Sequence, residues 1–371
     1  MVQAPLEASK IQISKTSTPK EKLPNDKLVF GQTFTDHMLE IEWTKEAGWG
    51  TPKISPYHNL SLDPSTIVFH YAFELFEGMK AYRDSNDKIR TFRPTKNMIR
   101  MNQSAERIAL PTFDNEELLK LIDQFLLIDE SFVPKGNGYS LYLRPTLIGT
   151  TPSLGVGSPD RALLYVIASP VGPYYSSGFK PVALEATDYA VRAWPGGVGN
   201  RKLGANYAPC VLPQQKAASK GYAQNLWLFG EEGYITEVGT MNVFFVFKDE
   251  SGKKELVTAP LDGTILEGVT RDSVLTLAKE KLPSDEWTIS ERKFTIHEVF
   301  DKAAKGQLVE AFGSGTAAVV SPINRIGWNG KDIDVPVADG ASGELTKDVA
   351  EWIRRIQYGE EEFKDWSRVA Q

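Results

Sequence analysis

Gly196-Gly-Val-Gly-Asn-Arg-Lys202-Leu-Gly-Ala-Asn-Tyr207 is the stretch about which the rest of this 371-residue chain is organised. Glycines at 196, 197, 199 and 204 mark backbone that turns tightly or approaches something closely. The run lacks the Gly-Lys-Ser/Thr ending that sets a lysine and a hydroxyl on nucleotide phosphates. It also lacks the Gly-x-Gly-x-x-Gly order of a dinucleotide site. Two readings of Lys202 stay open on this stretch alone. One is a solvated surface lysine, the usual fate of that residue type. The other is an amine that anchors an aldehyde covalently.

The totals narrow the class. At 371 residues two domains are the default, and 41% hydrophobic with 24% charged residues describes a globular chain. A net charge of −6 gives no basic face for nucleic acid or an anionic membrane. No apolar run approaches the ~18 residues of a membrane-spanning helix. One cysteine, Cys210, excludes an internal disulfide and suits a reducing compartment. Four scattered histidines and no cysteine cluster give no metal site. The first arginine is Arg83, so the start is not an Arg-rich import signal, and a cytoplasmic location is expected.

Read in order, residues 1–26 form a polar, loosely ordered arm. A smaller α+β domain covers 27–174, with strand-length apolar runs from Lys27 to Trp43 and from Thr66 to Tyr82. Met98, Met101, Ala105 and Ile108 keep helical spacing after Pro94, and Arg100 falls near that apolar stripe. Such an arginine is either a rim residue snorkelling from the core or an anion clamp. A second helix runs from Asn115 to about Glu130. Turn residues gather around 171–178 without a periodic element, so a linker is expected at 175–180 and a larger domain at 181–371. There, Gly268 before a helical pattern offers free amides to a phosphate, or serves only as a cap. The turn Gly313-Ser-Gly-Thr316-Ala317 either presents donors to an anion or merely reverses the chain. A last helix is expected over 343–358.

Seven motifs occur in a fixed order over roughly 28 to 358. They are Val29-Phe30-Gly31…Phe34-Thr-Asp-His37-Met, Phe76-Glu-Gly78-Met-Lys-Ala, Phe92-Arg-Pro…Asn97…Arg100-Met, Tyr142…Arg144-Pro, the Lys202 stretch, Thr236-Glu237…Gly239-Thr240…Asn242, and Phe312-Gly-Ser-Gly-Thr316-Ala. The ordered set resembles the branched-chain amino acid aminotransferases, pyridoxal-phosphate enzymes of fold-type IV. That resemblance implies a mixed α+β (α/β) chain of two domains and a homodimer. Ala318 and Ser321 stand where mammalian members carry a Cys-x-x-Cys pair, so thiol-based regulation is not expected.

The resemblance also implies roles. Lys202 becomes the catalytic amine that holds pyridoxal 5′-phosphate and moves a proton between two carbons. Glu237 faces the ring nitrogen, Tyr207 the ring oxygen, and Arg100, Val269, Thr270 and Thr316 the phosphate, with Thr240 beside them. Phe30, Tyr71, Phe76, Tyr142, Tyr174 and Ala317 line an apolar pocket, to which Leu154 and Val156 arrive from a partner subunit. Arg144 with Tyr142 answers the distal carboxylate of glutamate, and amides near Thr316 and Ala317 hold the α-carboxylate. The implied activity exchanges amino groups between leucine, isoleucine or valine and 2-oxoglutarate. A D-amino acid aminotransferase, an aminodeoxychorismate lyase or a non-catalytic cofactor-binding protein on the same fold are the alternatives.

Overall fold

The computed structural model describes residues 3–173, 179–338 and 340–371. The chain forms two compact units, each with its own sheet. The first comprises Met1–Tyr174, Arg201–Ala205 and Arg355–Gln371; the second comprises Tyr175–Asn200 and Asn206–Arg354. Among the described residues no helix is long and apolar enough to cross a membrane.

Ten strands make the sheet of the first unit. Its spine runs Lys53–Pro56, His37–Thr44, Arg161–Val171, Ser140–Gly149, Met79–Arg83, Ile89–Phe92, with Glu74–Phe76 also paired to Ser140–Gly149. Every pairing is antiparallel except Gln12–Ile13 on Lys53–Ile54. The helix Pro94–Arg107 buries Met98, Met101 and Ala105, as the periodicity predicts. The helix Asn115–Ile128 starts where Asp114 accepts the Glu116 and Glu117 amides, and it buries Leu118, Leu119, Ile122 and Phe125.

The second unit holds nine strands. Tyr234–Val238 pairs with both Gln224–Phe229 and Met241–Lys248, so six strands close into a ring with Val182–Thr187, Val319–Trp328 and Leu308–Gly315. Val243 to Phe247 is buried on both faces, which explains an apolar run without alternation. Phe245 meets Phe294 edge-on at 5.5 Å, while Phe244 stacks on Phe312 at 5.2 Å on the other face.

Four expectations need correction. Part of the arm 1–26 is not loose: Leu6 and Ala8 are buried, and Ala4 exchanges backbone hydrogen bonds with Ala47 and Trp49 at 2.9 Å. Gly48 permits this, because its φ is +88° and a Cβ there would lie 2.4 Å from Ala4 backbone atoms. Residues 201–205 and 355–371 belong to the first unit rather than to one continuous domain 181–371. Leu203 bridges Leu75, and Ser367–Val369 adds an edge strand to Ile89–Phe92. Within Thr66–Tyr82, Val68–Tyr71 is a helical turn ended by left-handed Ala72, and only Glu74–Phe76 and Met79–Arg83 are strands. Local hydrogen bonds from the Phe69, His70 and Tyr71 amides back to Thr66 and Ile67 win over strand propensity there. Likewise, within Lys27–Trp43 the strand starts only at His37. The expected linker 175–180 and Tyr174 fall largely outside the described residues.

Candidate active site

In the first unit, Lys202 is held by its backbone. Its amide donates to Ser104 Oγ at 2.9 Å, and its carbonyl accepts from the Phe76 amide at 3.1 Å. The side chain is half-buried, with Nζ 4.9 Å from the centre of the Phe76 ring. A Cβ at Gly204 would sit 2.4 Å from a Glu74 carboxylate oxygen, the movable end of that side chain.

Arg100 lies inside the fold rather than at its rim. Its Nε and Nη2 donate to Glu77 Oε1 and Oε2 at 2.7 and 2.8 Å, a fork-to-fork pair. Asn97 Nδ2 adds a bond of 2.8 Å to the same carboxylate. Burial by itself raises the Glu77 carboxyl, but Arg100, with Lys202 and Asn97 behind it, outweighs that and holds it below the usual range. Glu77 and Asn97 stood in the quoted motifs without a role. The available signal was a carboxylate in a largely apolar run, with an arginine on the following helix's apolar stripe to pair with it.

Tyr142 and Arg144 alternate on the strand Ser140–Gly149 and share a face. Arg144 Nη2 donates to Tyr142 Oη at 3.3 Å, and its guanidinium lies 4.7 Å from the Phe76 ring centre. Arg144 Nε is buried with no hydrogen-bond partner among the described residues. Phe30 packs edge-on against Tyr142 at 4.8 Å. Lys80, opposite Tyr142 in the antiparallel register, is a buried amine that sequence reasoning passed over; burial lowers its pKa to about 8. Tyr71 donates from its hydroxyl to the Leu154 carbonyl, while the Leu154 and Val156 side chains are 68% and 75% exposed.

Gly78 is where Tyr142 presses on the neighbouring strand: a Cβ there would lie 2.1 Å from Tyr142 Oη. Gly78→Ala is therefore expected to push the phenol off its place between Phe30 and Arg144. The expected cost is about 1–3 kcal/mol of stability, read as a lowered Tm, together with a raised KM for the aliphatic substrate.

In the second unit, Glu237 is buried on its strand. Its Oε1 accepts from the Leu266 amide at 3.1 Å and from Asn242 Nδ2 at 3.4 Å, and its Oε2 lies 3.6 Å from Arg192 Nη2. The Arg192 guanidinium is 5.7 Å from the Tyr207 ring centre, so one buried arginine brings Glu237 and Tyr207 into a single cluster. Arg192 has no local pattern around it, since its partner is 45 residues on, and the sequence offered no signal for it. Val269 and Thr270 open the helix Val269–Lys281, whose N-cap Gly268 supplies no side-chain acceptor. Thr316 and Ala317 are half-buried in the turn between Leu308–Gly315 and Val319–Trp328. Thr240 lies exposed in the turn after Val238, and Tyr174 is outside the described residues.

Residues 74–326 match the family described as amino-transferase class IV. Over 371 residues the chain is 68% identical to the cytosolic branched-chain-amino-acid aminotransferase of Saccharomyces cerevisiae, covering 100% of this chain and 99% of that one. It is 67% identical to the mitochondrial enzyme of the same organism, over 99% of this chain and 94% of that one. Among solved structures its fold is similar to that of the branched-chain amino acid aminotransferase from Thermobaculum terrenum in its PLP form. That match has a TM-score of 0.71 and 23% identity, over 92% of this chain and 100% of the other. The chain belongs to the class IV aminotransferases and, within them, to the branched-chain amino acid aminotransferase family.

Pyridoxal 5′-phosphate is the cofactor of this family, and the residues present fit it. The second unit offers a buried carboxylate for a protonated ring nitrogen and an uncapped helix start for a phosphate. Arg192 Nε and Nη1 and Ser314 Oγ are buried there with no hydrogen-bond partner among the described residues. The first unit offers a lysine amine held over an aromatic ring.

Proposed function

We propose that this aminotransferase moves an amino group reversibly between L-leucine, L-isoleucine or L-valine and 2-oxoglutarate, giving the branched 2-oxo acid and L-glutamate. When bound, pyridoxal phosphate supplies an electrophilic carbonyl and an electron-withdrawing ring. Lys202 would hold the cofactor covalently through its amine; once the substrate amine displaces it, the freed and neutral Lys202 amine would take the proton from the substrate Cα and give it back. Glu237 would keep a proton on the cofactor's ring nitrogen by its charge, and Tyr207 would donate to the ring oxygen. The Val269 and Thr270 amides and Thr316 would bind the phosphate, and Arg100 and Thr240 are further cofactor-binding residues by the family resemblance. Amides around Thr316 and Ala317 take the α-carboxylate.

The observation that carries the substrate reading is the Phe76–Tyr142–Arg144 face. Aromatic surface from Phe30, Phe76 and Tyr142 gives a branched side chain a dry wall, while Arg144, stacked on Phe76, keeps one cation at its edge. Leucine and glutamate therefore share one pocket. Tyr71 extends its lining, and Tyr174, outside the described residues, is assigned to it by the family resemblance alone. Leu154 and Val156, exposed in this chain, complete the pocket of a second copy, so the working form is a homodimer. The similarity to the cytosolic yeast enzyme supports a cytoplasmic location. Turnover of leucine with 2-oxoglutarate tests the activity, and a preference for D-alanine overturns it.

Arg144→Met tests the shared pocket. An arginine is of no use to leucine, but it pairs with the distal carboxylate of glutamate. The glutamate half-reaction should weaken relative to the leucine half-reaction by about 10- to 150-fold, equivalent to ~1.5–3 kcal/mol. Single-turnover spectra with each amino acid measure the ratio. Equal losses mean that Arg144 only braces the strand.

A further inference from the structure

His37 is buried, and neither of its ring nitrogens is bonded to the candidate site. Its Nδ1 faces Asp129 Oδ1 at 2.7 Å, and its amide donates to Asp129 Oδ2 at 3.0 Å. Its Nε2 is 2.9 Å from the Thr16 amide nitrogen. A backbone N–H can only donate, so Nε2 accepts and Nδ1 carries the proton that goes to the carboxylate. The ring thus has one tautomer and one orientation, set by Asp129 just beyond the helix Asn115–Ile128.

This bond closes a loop. Thr16 and His37 are 21 residues apart, and the chain between them leaves the sheet and returns. A second clasp lies beside the first: the Lys20 amide donates to Asp36 Oδ1 at 2.9 Å and its Nζ to the Thr35 carbonyl at 2.7 Å. Phe34 stacks on Tyr57 at the returning end. Between the clasps the loop presents Phe30, 48% exposed, whose ring rests on Tyr142. With both ends closed, the loop has little freedom to carry Phe30 away.

We infer that His37, locked between Asp129 and the Thr16 amide, is a positioning residue that closes the 16–37 loop and thereby seats Phe30 against Tyr142 as a wall for the branched side chain. The inference rests on the reading of Phe30 and Tyr142 as pocket residues. It assigns His37 no contact with substrate.

The test is a double-mutant cycle on the holoenzyme with leucine and glutamate as substrates. Thr16→Pro removes the amide donor while leaving His37 and Asp129 in place. Its leucine KM should rise about fivefold, the effect of losing one hydrogen bond, with kcat little changed. Phe30→Ala should raise the leucine KM at least as much. The double variant should be no worse than Phe30→Ala alone, because the clasp acts through that ring. Hydrogen exchange across 17–34 should also speed up in Thr16→Pro. An unchanged leucine KM in Thr16→Pro beside a raised one in Phe30→Ala overturns the inference alone, as do additive effects. An unchanged KM in Phe30→Ala overturns the pocket reading of Phe30 and the inference with it.

Discussion

Lys202→Ala protein is expected to retain its fold and to lose transamination by about 10⁴-fold or more, beyond the upper range for removing a positioned proton-transfer group alone, because the same amine also anchors the cofactor. The backbone holding Lys202 is fixed by the Ser104 hydroxyl and the Phe76 amide, neither of which depends on the side chain, so folding should survive. The competing amine is Lys80, buried and with its pKa lowered to about 8, hence more readily neutral than an ordinary lysine. Borohydride reduction of the parent protein followed by peptide mapping separates the two. A tag on Lys202 is expected, and a tag on Lys80 would end the assignment.

Glu237→Gln should lower the rate by roughly 10²-fold or more, comparable to losing one preorganised electrostatic contact. The amide keeps an acceptor for the Leu266 N–H, so the strand stays in place. What disappears is the negative charge, and Arg192 then lies buried beside a neutral group. Both half-reactions should suffer alike, because the ring nitrogen serves both. This distinguishes Glu237→Gln from Arg144→Met, where only the ratio moves. Unchanged half-reaction rates would make Glu237 a structural carboxylate.

Local pattern made much of the molecule legible. Helices over Pro94–Arg107, Asn115–Ile128 and Glu344–Gln357 follow from 3.6-residue periodicity and an Asp cap, which are properties of neighbouring residues. The strand Met241–Lys248 was readable from its apolar run alone. What stayed hidden is carried by pairings distant in sequence. Nothing local tells Ser367–Val369 to join Ile89–Phe92, or Leu203 to bridge Leu75. Phe69 and Tyr71 lie in a run with the composition of a strand, yet both are exposed on a helical turn. The arm looked loose because its composition is polar, whereas its order comes from the bare backbone of Gly48. At the site, Lys202, Arg144 and Glu237 were legible only through the family resemblance of the ordered motifs. Glu77, Lys80 and Arg192 emerged only through the partners that burial gives them.

The discontinuity of the first unit also bears on how the molecule is made. A chain leaving the ribosome from its N-terminus has Met1–Tyr174 available early, yet that unit still lacks the five residues Arg201–Ala205 and the tail Arg355–Gln371. The edge of its sheet stays open until Ser367–Val369 emerges, and Arg93 waits for Trp366 to accept its amide and lie 3.8 Å beneath its guanidinium. The lysine segment arrives in the middle, flanked on both sides by chain that folds elsewhere. Completion of the half that bears the reactive amine is thereby deferred until Arg355–Gln371 have emerged, so no fragment that stops short of them carries a finished Lys202 unit.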